Sequence, residues 1–204
     1  MGPDDRLFAG VFSSGSAGTM GAGYYLKDHF KDVKVAAAEA LQCPTLLNNG
    51  FGGHRIEGIG DKHVPWIHDL KKTDMVIAVD DEATIRLLRL FNSRPGRDRL
   101  LEQGVPQALV DSLDLMGISG IGNMVAAIKF AKYYELGEND VVLTVLTDSM
   151  EMYQSRLLEL TEERGEYSTH DAVAAYHRHL LGQSIDYVQE LGYYDRKRVH
   201  NLKY

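Results

Sequence analysis

Short apolar or alanine-rich runs alternate along the chain with stretches whose apolar residues recur at helical spacing. This pattern predicts strands at Leu7–Ser13, Val33–Glu39, Met75–Val79 and Val141–Thr147, with helices at Thr19–Phe30, Asp81–Phe91 and Gly122–Leu136. In the second helix Ile85, Leu87, Leu88 and Phe91 form the buried stripe, and the acidic start Asp80-Asp81-Glu82 suits a helix N-terminus. Alternating strands and helices imply parallel crossover units with helices on both faces of one sheet. The expected fold class is therefore α/β: a three-layer α/β/α sandwich with a mainly parallel sheet. The run Val141-Val142-Leu143-Thr144-Val145-Leu146 reads as a strand buried on both sides.

Two stretches interrupt the rhythm. Ala40–Thr73 carries Gly50, Gly52, Gly53, Gly58 and Gly60 on an irregular path, and a loop this long in a compact domain is usually functional. Ser93–Gln103, rich in Arg and Gly, reads as a solvated surface loop. From Met150 onward the pattern is helical: Met150–Glu163, Ser168–Leu181 with Ser168 as N-cap, and Ser184–Leu191. The expected organisation is an α/β domain over residues 1–160 followed by a helical C-terminal extension over 161–204. The last ten residues, Asp195 to Tyr204, are polar and basic, and either packing on the domain or reaching a partner suits them.

With 204 residues, 44% of them hydrophobic and 25% charged, the chain is long enough to bury a substantial core. The net charge of −7 argues against a nucleic-acid partner, because phosphate backbones are bound by clustered Lys and Arg. No apolar run approaches the roughly 20 residues that span a bilayer, and no signal segment opens the chain, so no membrane association and a cytoplasmic location are expected. Cys43 is the single cysteine, without an evident neighbouring base, and is expected to be buried or inert.

The candidate chemistry begins at Phe12-Ser13-Ser14-Gly15-Ser16-Ala17-Gly18-Thr19-Met20-Gly21, a glycine-rich turn between a predicted strand and helix. Small residues let a ligand approach the backbone, and the first helical turn offers unpaired N–H groups and the positive end of the helix dipole to an anion. Ser14, Ser16 and Thr19 add hydroxyls. A tight packing turn explains the same glycines. His54, His63 and His68 lie on a predicted loop without ligand-like spacing, so no metal site is expected. His177 and His179, two positions apart on a helix, read as solvated surface residues. Neither Gly15-Ser16-Ala17-Gly18 nor Gly117-Ile118-Ser119-Gly120 matches the Gly-x-Ser-x-Gly of a serine hydrolase. Glu39, 18 residues after Gly21, stands near where a dinucleotide-binding domain places its ribose-binding acid, or is a solvated strand-end carboxylate.

Four segments taken together resemble the cysteine synthase and cystathionine β-synthase family of fold type II pyridoxal-phosphate enzymes. Gly15-Ser16-Ala17-Gly18-Thr19 resembles its Gly-Thr-Gly-Gly-Thr phosphate loop. His54-Arg55-Ile56-Glu57-Gly58-Ile59-Gly60 with Val64-Pro65 resembles His-Lys-Ile-Gln-Gly-Ile-Gly with Ile-Pro. Gly117-Ile118-Ser119-Gly120, leading into Ala126-Ala127-Ile128-Lys129-Phe130-Ala131, is similar to a Gly-Ile-Ser-Ser-Gly turn and its alanine-rich helix. Thr147-Asp148-Ser149-Met150-Glu151-Met152-Tyr153 resembles Pro-Asp-Ser-Gly-Glu-Arg-Tyr. The matches fall in family order from about Leu7 to Ser155 and fade over Glu163–Tyr204.

The resemblance implies that Gly15, Ser16, Ala17, Gly18 and Thr19 bind the 5′-phosphate of pyridoxal phosphate, and that Gly58-Ile59-Gly60 lines the cofactor and substrate entrance. It implies a hydroxyl on the pyridine nitrogen, a role carried here by Ser119, with Thr147 and Ser149 as alternatives, because Gly120 stands where the family has its second serine. It also implies a small amino-acid substrate, β-replacement or β-elimination chemistry and a homodimer. None of the chain's lysines has the Ser-x-Lys-x-Arg setting of the family's cofactor-bearing lysine. The chain is accordingly expected to correspond to the C-terminal half of such an enzyme, to contain no catalytic residue of its own and to be inactive without the missing N-terminal half. The alternatives are a non-catalytic phosphate- or cofactor-binding or interaction module, and a Rossmann-type NAD-binding domain.

Overall fold

A computed structural model describes residues 2–204. Strand β1 (Arg6–Ser13) leads through the glycine-rich turn into helix α1 (Met20–His29), then into β2 (Lys34–Ala40). A long irregular segment containing only the single-turn α2 (Thr45–Asn48) precedes β3 (Met75–Val79). Helices α3 (Asp81–Asn92), α4 (Arg94–Glu102), α5 (Gln107–Asp111) and α6 (Ile118–Tyr133) follow, then β4 (Asp140–Leu143). The chain ends through α7 (Gln154–Arg164), α8 (Thr169–Ala175), β5 (Val188–Glu190) and α9 (Tyr193–Asn201). The sheet order is β4-β1-β2-β3-β5, parallel at every pairing except the antiparallel β3–β5. This is the expected α/β/α sandwich with C-terminal helices.

The alternating pleat divides the core into two layers. Ala36, Ala38 and Ala40 of β2, with Met75, Ile77 and Val79 of β3, face α3 and α6; Val35, Ala37 and Val76 face the opposite layer with Phe12, Met20 and Leu46. Alanine along the central strand lets both layers approach the sheet closely. In α1, Gly23 meets the same need, because a Cβ there would lie 2.7 Å from the Phe12 ring and 2.9 Å from Val35.

Three local expectations are corrected. The stretch Ser93–Gln103 is largely helical, as α4, with the Ser93 hydroxyl accepting the Gly96 N–H at 3.2 Å and Pro95 in the first turn. That N-cap and proline start a helix whatever the Arg and Gly content. The strand expected at Val141–Thr147, buried on both sides, pairs only over Asp140–Leu143 as an edge strand with partly exposed residues. Ser184–Leu191 is not helical: Val188–Glu190 adds to β3 as β5, so sheet pairing overrides the local pattern. The polar terminus forms α9, which packs on the sheet through the buried Val199. The Gly122–Leu136 helix is found with its start moved back to Ile118. No described helix is long and apolar enough to cross a membrane.

Helix α4 supplies a test of packing against propensity. A Cβ on Gly96 would lie 1.9 Å from the Leu90 carbonyl oxygen. Helix propensity favours Gly96→Ala by about 1 kcal/mol, whereas forcing atoms into a filled contact costs about 1–3 kcal/mol or more. Gly96→Ala is expected to lower stability by about 1–2 kcal/mol in urea unfolding; a variant at least as stable as the parent would refute this close packing of α4 on α3.

Candidate functional site

The carboxyl ends of β1 and β2 gather the segments that the sequence singled out. Beyond β1 the Ser14 N–H donates to the Ala38 carbonyl at 2.7 Å, and the Ser14 carbonyl accepts the Gly60 N–H at 3.1 Å. These bonds lay the Gly15–Thr19 loop against Gly58–Gly60. A Cβ on Gly15 would stand 3.6 Å from the Gly58 carbonyl oxygen, and one on Gly58 3.8 Å from the Ser119 Cβ. Gly58 and Gly60 have φ of +83° and +85°, a region that glycine enters without strain. Ala17, with φ +60°, adopts the left-handed conformation without being glycine.

The N–H groups of Gly15, Ser16, Ala17, Gly18 and Thr19 donate to no described protein acceptor. Thr19 directs its hydroxyl proton to the Ser13 carbonyl at 3.1 Å, which ties the loop back to the strand it leaves. The chain thus presents a run of free backbone donors at the N-terminal end of α1, the arrangement that suits a phosphate. Ser16 and Gly18 are exposed, so water reaches this loop and a packing turn would leave the same groups free.

Ser119, in the first turn of α6, is buried, and its hydroxyl lies 3.1 Å from that of Thr147. The two residues that compete for one role in the sequence are neighbours in the fold. Ser149 sits at the cap of the 3₁₀ turn Met150–Tyr153. Two polar residues that sequence reasoning passed over also belong here. The Ser13 hydroxyl donates to Asn123 Oδ1 at 2.7 Å, and Asn123 Nδ2 donates to the Val145 carbonyl at 3.0 Å, joining β1, α6 and the strand exit. A buried Asn on an otherwise apolar helix face was the available signal. The start of α6 is fixed by Asp148, whose carbonyl accepts the Gly117 N–H at 3.0 Å and whose Oδ2 accepts the Tyr153 hydroxyl at 2.5 Å. A Cβ on Gly117 would fall 2.0 Å from Asp148 Oδ1, so this turn requires glycine.

Glu39 is neither a solvated carboxylate nor a free ribose ligand. It is buried, and both its oxygens accept backbone N–H groups, from Leu46 and Leu47, each at 2.9 Å. Burial pushes its pKa up to about 7, against the lowering by those two N–H groups and by the charge of Arg198. Cys43 is buried. No group of three His, Cys, Asp or Glu side chains among the described residues is arranged to hold a metal ion.

No family model matches the chain. It is 30% identical to cysteine synthase B of Campylobacter jejuni over 153 residues, covering 74% of this chain and 44% of that protein. It is 28% identical to the solved O-acetylserine-dependent cystathionine β-synthase of Helicobacter pylori, with a TM-score of 0.54 over 73% of this chain and 42% of that one. The cysteine synthase structure of Entamoeba histolytica, at 19% identity, shares the fold with a TM-score of 0.61 over 84% of this chain and 45% of that one. In sequence and fold the chain is similar to the fold type II family that its four segments resemble. It spans less than half the length of these relatives.

Glu39 generates a prediction on stability. Its folded pKa, about 7, exceeds the ordinary 4.5, so the folded state binds the proton more tightly and Glu39's contribution falls as pH rises from about 4.5 through 7. His68 acts oppositely: burial lowers its pKa from 6.5 to about 4, so its contribution grows as pH rises across that interval. Comparing the parent with Glu39→Gln isolates the first slope. Between pH 4.5 and 7.5 the stability difference should move in the variant's favour by about 2 kcal/mol in urea unfolding; parallel pH profiles would show that Glu39 does not titrate there.

Proposed function

We propose that this chain forms the phosphate-holding portion of a pyridoxal-phosphate-dependent enzyme that carries out β-replacement or β-elimination on a small amino acid, as the similarity to cysteine synthases suggests. The observation that carries this reading is the run of unpaired N–H groups from Gly15 to Thr19, lying against Gly58–Gly60 and within one residue of Ser119. The residues suit the cofactor: free donors for a dianionic phosphate, glycine-lined space beside them and buried hydroxyls beyond.

In this reading the backbone of Gly15, Ser16, Ala17, Gly18 and Thr19 holds the phosphate, and the positive end of α1 adds to the attraction. The Ser119 hydroxyl, oriented by Thr147, meets the pyridine nitrogen as a neutral partner. Gly58 and Gly60, without side chains, leave room for the amino acid, and the Asp148–Tyr153 bond keeps the first turn of α6 in place. When bound, pyridoxal phosphate supplies an electron sink for charge developing at the substrate α-carbon. The cofactor-bearing lysine comes from a segment outside these 204 residues, corresponding to the N-terminal half of the relatives, and the assembled enzyme is a homodimer. By itself the chain binds the cofactor weakly and does not turn over substrate.

Binding of pyridoxal phosphate, followed by its induced circular dichroism and by competition with inorganic phosphate, tests this reading. Pyridoxal, lacking the phosphate, should bind at least about tenfold more weakly. Gly18→Asp, which puts a carboxylate into the cradle, should abolish binding with the far-ultraviolet spectrum unchanged. Borohydride reduction followed by peptide mass spectrometry should find no single modified lysine; a stoichiometric adduct at one lysine of this chain would overturn the assignment of that lysine elsewhere. Phosphate binding that persists without turnover, when a relative's N-terminal half is co-expressed, would favour the non-catalytic module.

A further inference from the structure

On the α1 face of the sheet, α9 and the segment before β3 line a cavity of about 520 Å³. This volume falls within the range of small-molecule sites. Trp66, Ile67, Leu70 and Tyr193 give it an apolar body, and Trp66 meets Tyr204 edge to face at 5.0 Å. Trp66 is 68% exposed and Tyr193 72% exposed, so these rings lack the cover that large aromatic surfaces usually have.

The charges around the cavity are unevenly committed. Arg196 is spent on the Thr73 carbonyl and Asp74, and Lys203 on the carbonyls of Trp66 and His68. Lys71 and Lys197 line the cavity with no carboxylate partner among the described residues. Asp69 also lines it, with one oxygen accepting the Lys71 backbone N–H at 2.9 Å. Two cations are therefore free to meet an anion, in a chain whose net charge is −7.

His68 closes the floor of the cavity. It is wholly buried, and its Nε2 lies 3.1 Å from the Thr73 hydroxyl. That hydroxyl donates its proton to the Asp69 carbonyl at 3.0 Å, so it accepts from His68 and Nε2 carries the ring hydrogen. The lone pair therefore sits on Nδ1, which has no partner among the described residues. Both nitrogens are covered, so the ring makes no hydrogen bond to a ligand in the cavity.

We infer that this cavity binds a small aromatic carboxylate: the ring beside Trp66 and Tyr193, the carboxylate at Lys71 and Lys197. The chemistry differs from that of the glycine-rich loop, which offers backbone donors to a compact phosphate and no aromatic surface.

The chain's single tryptophan is Trp66, so its fluorescence reports this cavity alone. The probe is 3-phenylpropionate titrated into the full chain, with its methyl ester and hexanoate for comparison. The acid should give a saturable change in Trp66 emission, with the ester, lacking the charge, about tenfold weaker and hexanoate, lacking the ring, about threefold weaker. Replacing Lys71→Gln together with Lys197→Gln, both exposed, should weaken the acid about tenfold and leave the ester unchanged. The proposal fails if emission does not saturate, if acid and ester bind alike, if the aromatic ring adds nothing, or if the lysine pair has no effect. It also fails if emission changes with protein concentration alone, since a second copy of the chain would then cover Trp66.

Discussion

The site rests on one residue of extended backbone. Ser14 donates its N–H to Ala38 and accepts the Gly60 N–H on its carbonyl. Those two bonds continue the sheet past the end of β1 and join three pieces of chain that are remote in sequence. The loop that follows must then turn into α1 within a few residues, which leaves its own N–H groups no protein acceptor. The free donors are a consequence of the sheet's geometry. Shifting Ser14 would pair the wrong groups, because a one-residue slip reverses the face on which every later side chain falls.

The long segment between β2 and β3 has no ladder to hold it, and buried charge takes that part. Glu39 captures the N–H groups of Leu46 and Leu47 at its start. On the other face of the sheet, buried Lys129 donates to the carbonyls of Ala78 and Asp186 at 3.2 and 2.5 Å, fixing the turn that delivers β5 to β3. Each side chain bonds two backbone groups, and removing either would leave those groups without their partner. Burial raises the pKa of Glu39 and lowers that of Lys129, so each pays some of its hydration to hold an irregular path.

Legibility in the sequence followed how local each cause is. Met75–Val79 and Asp81–Asn92 were readable because their apolar periods and acidic cap lie within the segment itself. The turn from strand to helix at the glycine-rich loop was readable from the apolar runs on either side, whereas its glycines by themselves suit a packing turn as well as a phosphate. Ser184–Leu191 was not readable, since β5 exists only through its pairing with β3, more than a hundred residues earlier. Val141–Leu146 has the composition of an interior strand but lies at the sheet's edge, and composition carries no information on strand order. Ser119 and Thr147 competed on paper because sequence spacing hides that their hydroxyls touch.

Helix α6 links the cradle to the buried charge and bears on where the reactive amine belongs. Ser119 opens the helix beside Gly58, and Lys129 lies ten residues further on, a displacement of roughly 15 Å along the axis at 1.5 Å per residue. Its ammonium is already held by two carbonyls, with the Tyr187 ring 5.7 Å away. Bringing it to the cradle would break both bonds and release β5 from its turn, at a cost larger than a weakly held cofactor could offset. The fold thus commits its most buried described lysine to structure, which removes Lys129 from the amines that could carry a cofactor.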